Sequence, residues 1–220
     1  MKLLFISHPF SADSKKEAIR ELLKNTIPDR DFYILVVGAI LLSASGILVD
    51  SIPVLIASMI VAPLAYPILS LGLGILAYDA KLAGRSFLML LIAMVLATIV
   101  GGIFSLFVKS YFNVAEQTLI SFFPNLFFDL FIAILSGAIA VYGLVRSKVG
   151  VAMTGIGIAV SLMPPLVATG IGLFDPMSDL ALRAGTIFAL NVFGILVGSM
   201  ASFAMLGIRK EYRIMIKNLE

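Results

Sequence analysis

Apolar residues fill six long segments of this chain, and most polar or charged residues lie between them. The segments are Tyr33–Val49, Ile52–Tyr78, Ser86–Val108, Leu126–Val145, Val149–Phe174 and Ala184–Gly207. Apolar runs of about 20 residues with few charges are typical of helices that cross a lipid bilayer. The pattern therefore predicts an all-α polytopic membrane protein with six transmembrane segments.

The composition agrees with this interpretation. Of the 220 residues, 60% are hydrophobic and only 13% are charged, which is more apolar surface than a soluble domain of this length can bury. The net charge of +3 does not indicate nucleic-acid binding, because in a membrane protein the placement of charges matters more than their sum. The chain has no cysteine, which excludes disulfides and thiolate metal sites. We expect no cofactor and no cleavable signal segment, since Met1 to Asp31 is charged and helix-like.

The positions of lysine and arginine predict the orientation. If the N-terminus is cytoplasmic and all six segments cross, 14 of these 16 side chains lie inside, and only Lys109 and Arg183 lie outside. If the second and fifth segments are instead re-entrant, the division becomes 11 against 5. Because cytoplasmic loops carry the excess of basic residues, the crossing arrangement is favoured. It predicts a multi-pass protein of the cytoplasmic membrane with both termini in the cytoplasm.

The chain divides into five regions on this basis. These are a cytoplasmic amphipathic interfacial helix (1–31), a first three-span repeat (32–108), an outer amphipathic connector (109–125), a second three-span repeat (126–208) and a basic cytoplasmic tail (209–220). In the first region, Ser14–Ile27 has one apolar face and a capping box formed by Ser14 and Glu17. Such a helix is expected on the anionic leaflet; the alternative is a regulatory or partner-binding helix.

The second and fifth segments resemble one another. Pro63-Leu64 and Pro165-Leu166 lie 102 residues apart, each in the middle of an apolar segment. Two halves of three spans each follow. Since three is odd, the second half starts on the opposite side of the membrane, and the predicted 3+3 repeat is inverted.

The prolines in these two segments predict broken helices. Proline has no backbone N–H and clashes with the carbonyl four residues earlier, so Pro63 frees the carbonyl of Met59, Pro67 frees that of Pro63, Pro164 frees that of Val160 and Pro165 frees that of Ser161. Broken helices at matching positions of two inverted halves indicate a transport site near the bilayer midplane. The alternative is a pair of kinked helices whose prolines only shape the packing.

Few polar side chains fall within the apolar segments. Asn191 lies deep in the sixth segment and is either a ligand or a contact between helices. Asp129 begins the fourth segment, where a buried carboxylate is a functional candidate, although it is about one turn from the interface. Tyr66 is the one tyrosine away from a predicted interface. Ser58, Ser161 and Thr169 flank the expected breaks and either line a cavity or bond back to their own helices.

Three stretches carry a resemblance to a known family: "GILVDSIPVLIASMIVAPLAYPILSLGLGI", "GVAMTGIGIAVSLMPPLVATGIGL" and "FALNVFGIL". Together with the link "YDAKLAGRSF", they make residues 30–207 resemble the domain-of-unknown-function family 389, the uncharacterised hydrophobic domain family of bacteria and archaea. The resemblance implies a prokaryotic membrane protein. Many members carry a soluble domain before the spans, whereas this chain has a short helix there. The resemblance implies no activity.

Two functions stay open at this stage. The first is a transporter or channel for a small solute or ion, with a site formed by Ser58, Met59, Pro63, Tyr66, Pro67, Val160, Ser161, Pro164, Pro165, Thr169, Asn191 and Asp129. The second is a membrane scaffold or sensor without transport activity. An intramembrane enzyme is disfavoured because the only histidine is His8 and Asp129 has no partner carboxylate within the spans. The expected partners are the lipid bilayer, the solute and further copies of the chain in a homo-oligomer.

Overall fold

Helices account for nearly all of the chain that the computed structural model describes, which is residues 10–111, 126–146, 151–174 and 178–217. These residues form ten α-helices and one π-helical stretch, and none of them lies in a strand. The α-helices are α1 (Ala12–Lys24), α2 (Arg30–Leu48), α3 (Ile52–Val61), α4 (Ala65–Ala77), α5 (Ala80–Leu96), α6 (Gly102–Tyr111), α7 (Leu126–Val145), α8 (Val151–Leu173), α9 (Ser178–Met205) and α10 (Ile208–Lys217), and the π-helical stretch, Ala97–Gly101, joins α5 to α6.

Several of these helices are long and apolar enough to cross a membrane. Within the described residues four qualify by length and composition, namely Arg30–Leu48, Ala80–Val108, Leu126–Val145 and Asp179–Met205. The pair α3 and α4 makes a fifth if it counts as one bent span, and Gly157–Leu173 of α8 is a shorter apolar helix. The all-helical, multi-pass membrane architecture is thus shown, whereas the count of six spans stays a prediction.

The second predicted segment bends sharply in its middle. Helices α3 and α4 meet at 53° across Ala62, Pro63 and Leu64. Ala62 adopts an extended backbone, with φ −65° and ψ 119°. The ring of Pro63 explains this conformation, because the residue before a proline is pushed out of helical geometry.

The fifth predicted segment does not break, and the expectation of a second broken helix is wrong. Helix α8 runs continuously through Pro164 and Pro165. Prolines are tolerated inside membrane helices when neighbouring helices bond the freed backbone groups. Asn191 of α9 meets this need by donating from Nδ2 to the carbonyl oxygen of Ser161 at 2.7 Å. The carbonyl that Pro165 leaves without its helical donor is therefore bonded from the adjacent helix.

Helix α8 lies at the centre of the bundle. It contacts α2, α3, α4, α6, α7, α9 and the π-helical stretch. Beside it, α7 and α9 pack backbone to backbone at three glycines, Gly137, Gly194 and Gly198, where a Cβ atom would meet the other helix. The helices at the centre of the bundle are thus closely packed.

The N-terminal helix packs on the protein itself. Helix α1 begins at the N-cap Ser11, whose side chain accepts a hydrogen bond from the N–H of Ser14, so the capping box expected at Ser14 is wrong. Its apolar residues Ile19 and Leu22 are fully buried, and the helix contacts α4, α7 and α10. The apolar face that was assigned to the lipid surface is covered by these helices, because they offer a preformed apolar surface. Contact of the helix with a leaflet stays a prediction.

Helices α1 and α10 mark one end of the bundle, which we call the α1 end. The turn between α4 and α5 lies there, because Tyr212 of α10 donates to Oδ2 of Asp79 at 2.6 Å. The end of α7 lies there too, since the ring of Tyr142 packs edge-on against Phe10 at 5.6 Å. Helices α3, α7 and α9 therefore begin at the opposite end.

The contact between Tyr212 and Asp79 makes a testable contribution to stability. Burial pushes the pKa of Asp79 up, but hydrogen bonds from Tyr212 and from backbone N–H groups outweigh it and lower this pKa. We expect Tyr212→Phe to cost about 1 kcal/mol and to lower the Tm in detergent by about 2–4 °C. Because the pKa of Asp79 is lowered on folding, the contribution is present above the unfolded pKa of about 4 and is lost below it. The Tm difference between the two proteins should shrink below about pH 4, and a pH-independent difference would contradict the assignment.

Candidate functional site

A cavity of about 330 Å³ lies beside the proline pair of α8. It is bounded by α3, α7, α8 and α9, and it reaches from the end of the bundle opposite α1 to the middle of α8 and α9. Its lining residues are mostly apolar: Ile52, Leu55, Ile56, Met59, Asp129, Ile132, Ser161, Pro164, Pro165, Ile187 and Asn191. We call it the α8 cavity.

Asn191 is the most constrained polar group of the α8 cavity. Its side chain is only 4% exposed. The amide nitrogen is committed to the carbonyl of Ser161, whereas Oδ1 is buried and has no hydrogen-bond partner within the described residues. A buried acceptor without a donor costs roughly 1–3 kcal/mol. This arrangement leaves one strong hydrogen-bond acceptor ready for a ligand.

Asp129 supplies a second unsatisfied oxygen to the same cavity. It lies in the first turn of α7, and its Oδ2 is buried without a partner among the described residues. A carboxylate at membrane depth is costly unless it meets water, a partner or a ligand. The sequence proposed both Asp129 and Asn191 as candidates, and the fold brings them to one cavity.

The α8 cavity contains few groups that could bind or react with a ligand. Among the described residues, no lysine, arginine or histidine lines it, and the only ionisable lining residue is Asp129. No group of three or more His, Asp or Glu side chains that could hold a metal ion occurs in the part of the chain that the structure describes. Among the described residues, the cavity therefore offers oxygen atoms of Asn191, Asp129 and Ser161 to a small ligand.

A second cavity, of about 260 Å³, lies at the bend between α3 and α4 on the α1 side. Its lining includes Pro63 and Tyr66 together with the start of α2, including Asp29 and Asp31. Tyr66 donates its hydroxyl to Oε1 of Glu21 on α1 at 3.0 Å. We call this the bend cavity. Tyr66 and Pro63 thus lie apart from Asn191 and Pro165, so the predicted site residues are divided between two cavities.

The other predicted site residues take mainly structural positions. The hydroxyl of Ser58 donates to the carbonyl of Leu55, and that of Thr169 donates to the carbonyl of Pro165. Pro67 is buried within α4. The side chain of Val160 lies outside the described residues. Met59 and Ser161, by contrast, line the α8 cavity as expected.

Sequence reasoning missed two polar contacts between the N-terminal region and α4. Glu21 was not singled out, yet its Oε1 accepts a hydrogen bond from the hydroxyl of Tyr66. Thr26, in the predicted apolar face of Ser14–Ile27 but two residues beyond the end of α1, is buried and shares a hydrogen bond with Ser70 at 2.6 Å. A polar residue inside the apolar face of an amphipathic helix was the one available signal, because such a residue needs a partner on the surface that the helix covers.

Comparison with known proteins places the chain in a family. The sequence profile described as domain of unknown function (DUF389) matches residues 59–197, which is 139 of the 220 residues. The chain belongs to the DUF389 family. The part that matches the DUF389 profile begins at Met59 and includes Asp129, Pro165 and Asn191, so it contains most of the α8 cavity. The start of α3 and all of α1 lie before it.

One relative of the DUF389 chain is the uncharacterized protein MJ0678 of Methanocaldococcus jannaschii. The two are 26% identical over 211 residues, which cover 91% of this chain and 64% of the archaeal protein. The chain thus spans less than two thirds of the length of that relative. No solved structure matches the chain.

Proposed function

We propose that this protein is a transporter or channel for a small solute or ion, with the α8 cavity as its substrate site. The observation that supports this most directly is the pair of buried, unsatisfied oxygens on Asn191 and Asp129, set in an otherwise apolar cavity. Each of these oxygens costs folding free energy while it is buried without a partner, and a bound ligand that interacts with it would remove that cost. Binding of a ligand accounts for their presence.

The helix directions support the inverted repeat that such a transporter needs. Helix α2 begins at the α1 end, because it follows α1 after a short turn, whereas α7 ends there beside Phe10. The first helices of the two halves therefore run in opposite directions. This is the relation expected of inverted halves.

Two glycine contacts support the repeat independently. Gly74 of α4 packs on the backbone of Ala83 in α5, where a Cβ atom would lie 2.7 Å from the amide nitrogen. Gly172 of α8 packs in the same way on Ala181 of α9, at 2.5 Å. The glycines lie 98 residues apart, against 102 for the prolines, and the offset of four residues is about one helical turn. Each half thus joins its second segment to its third through an equivalent contact.

The positions of the two cavities fit a pathway across the membrane. The α8 cavity lies along α3 from Ile52 to Met59, and the bend cavity begins at Pro63. They face opposite ends of the bundle, and the turn from Met59 to Pro63 separates them. In the proposed mechanism this turn is the barrier that opens and closes, and the α8 cavity holds the solute near the midplane.

The proposal also covers location and assembly. We place the protein in the cytoplasmic membrane of a prokaryote, with α1 and α10 at the cytoplasmic side, as the basic residues predict. It includes no enzymatic reaction, because the described lining offers neither a histidine to activate the Ser161 hydroxyl nor a second carboxylate beside Asp129. The homo-oligomer stays a prediction, since the glycines Gly72, Gly170 and Gly198 pack inside the chain.

The scaffold or sensor is the second candidate, and one observation favours it. Helix α1 and the residues just after it contact α4 through the hydrogen bonds Glu21–Tyr66 and Thr26–Ser70. Such contacts are suited to passing a signal to the membrane helices. A scaffold, however, has no need for the unsatisfied oxygens of the α8 cavity.

Flux through proteoliposomes tests the proposal. The purified protein is reconstituted, and the uptake of inorganic ions and small polar solutes is compared with that of empty liposomes. We expect Ile132→Trp, which places a large ring in the α8 cavity, to reduce the flux at least tenfold.

The matched control is Leu135→Trp. Both side chains lie on α7 and are 46% exposed, but Leu135 is not among the residues that line the α8 cavity. The control should transport like the unmodified protein. If no solute crosses faster than in empty liposomes, or if both variants lose flux equally, the transport function is wrong and the scaffold candidate is favoured.

A further inference from the structure

We infer that the α8 cavity binds a small monovalent cation, either an alkali metal ion or a protonated amine, through Oδ1 of Asn191 and the carboxylate of Asp129. This inference rests on the proposed function and names the substrate class of the same site. It starts from two buried oxygen atoms, Asn191 Oδ1 and Asp129 Oδ2, that have no donor among the described residues.

The sign of the charge in the cavity selects the ligand. Asp129 brings one full negative charge when it is ionised, and the amide oxygen of Asn191 adds the negative end of a dipole. Within the part of the chain that the structure describes, no basic side chain lines the cavity to balance a bound anion. An anion would thus meet an uncompensated carboxylate in a site of low dielectric, where like charges repel strongly.

The positive N-terminal end of α3 favours an anion, but its effective charge is smaller than that of Asp129. The first residue of α3, Ile52, lines the cavity, and the start of α3 has no side-chain cap. The positive end of a helix amounts to roughly half an elementary charge. It offsets part of the charge on Asp129, as does the start of α7, in whose first turn Asp129 lies. The carboxylate and the amide oxygen line the cavity itself, and these oxygens favour a cation over an anion.

The number of ligands indicates a monovalent ion. Calcium takes 6–8 oxygen ligands and magnesium demands an octahedral set, usually with carboxylates. The α8 cavity offers one carboxylate, one free amide oxygen and the hydroxyl of Ser161, and the described residues hold no cluster of three acidic or histidine side chains. An alkali ion that keeps some of its water, or an ammonium group with several N–H donors, fits this set better.

Thermal unfolding of the full chain in detergent tests the inference without requiring transport. The chloride salts of Na⁺, K⁺, NH₄⁺ and methylammonium are compared with that of N-methylglucamine, a much bulkier cation. In a second series K⁺ is held constant while the anion is varied. Because a ligand that binds only the folded state raises the Tm, we expect a rise with at least one small cation and none with any anion. Comparing the alkali salts with the ammonium salts shows whether the ligand is a metal ion or a protonated amine.

Variants of Asp129 separate binding from general salt effects. Asp129→Asn has nearly the same shape without the charge and should weaken cation binding at least tenfold, whereas Asp129→Glu should retain it. Asp179→Asn is the matched control, because Asp179 lies in the first turn of α9 at the same end of the bundle but does not line the cavity. It should bind like the unmodified protein.

Three outcomes overturn the inference. They are stabilisation by anions or neutral solutes only, no response to any cation, and a cation response that Asp129→Asn leaves unchanged. None of these depends on flux. A protein that transports a neutral solute and loses that flux in Ile132→Trp would keep the proposed function while disproving cation selectivity.

Discussion

Substituting alanine for Gly198 should prevent the transmembrane bundle from assembling in its native form. The added Cβ atom would meet the backbone of α7 at Ile134 O, Ile134 C and Ala138 N. Backbone atoms of a packed helix cannot turn aside as a side chain does, so α7 and α9 have to separate. We expect a loss of more than about 3 kcal/mol, at the upper end for overpacked sites. It would be measured as a fall in Tm and in the monodisperse fraction after detergent extraction.

The chain offers a matched control for this substitution. Gly84 also lies inside an apolar helix, α5, but a Cβ atom there would have no neighbour within 4 Å. Gly84→Ala should leave stability unchanged or raise it by about 0.5–1 kcal/mol, because alanine is the better helix former. Equal stability of both variants would mean that α7 and α9 do not pack as described.

Most helices were predictable because a long apolar run in the sequence is enough to indicate a membrane helix. Long apolar runs were enough to place α7 at Leu126–Val145 with both ends correct, and α2 and α8 within three residues. The start of α9 was missed by six residues, since Ser178–Arg183 carries two charges and was taken for a loop. The bounds of a membrane helix depend on what covers its ends as well as on its hydropathy.

Pro63 and Pro165 show that a proline in an apolar segment does not always break the helix. Pro63 and Pro165 look alike in sequence, yet the chain bends at the first and continues as a helix through the second. The difference lies in a residue 26 positions later, because Asn191 bonds the carbonyl that Pro165 frees. Whether a proline breaks a helix is thus decided by a tertiary contact that no single-segment pattern contains.

The candidate site was predicted in part for the same reason. Asn191 and Asp129 were found because polar groups are rare in apolar segments, and this rule needs no knowledge of the fold. Tyr66 satisfied the same rule but faces Glu21 on α1, since α4 turns towards α1 after the bend. Its partner lies on a helix that the sequence placed on the lipid surface.

Asn191→Leu should lose both stability and transport, and a second substitution should separate the two losses. Leucine has the same number and branching of side-chain heavy atoms as asparagine but cannot donate to the carbonyl of Ser161. That carbonyl then lies buried and unpaired at a cost of roughly 1–3 kcal/mol. The substitution also removes the free Oδ1 from the α8 cavity. We expect a lower Tm in detergent and a flux reduced at least tenfold in proteoliposomes.

Adding Pro165→Ala to Asn191→Leu should restore stability but not transport. Alanine at 165 has a backbone N–H that can donate to the carbonyl of Ser161 within α8, so the carbonyl no longer needs the amide of Asn191. The double variant Pro165→Ala/Asn191→Leu should thus be more stable than Asn191→Leu alone, yet it should stay inactive because the cavity still lacks its amide oxygen. If flux returned together with stability, Asn191 would serve only to hold α8 and α9 together, and the amide oxygen would have no role in binding. If stability returned without flux, the amide oxygen of Asn191 would be needed to bind the ligand, and the contact between α8 and α9 would not be its only role.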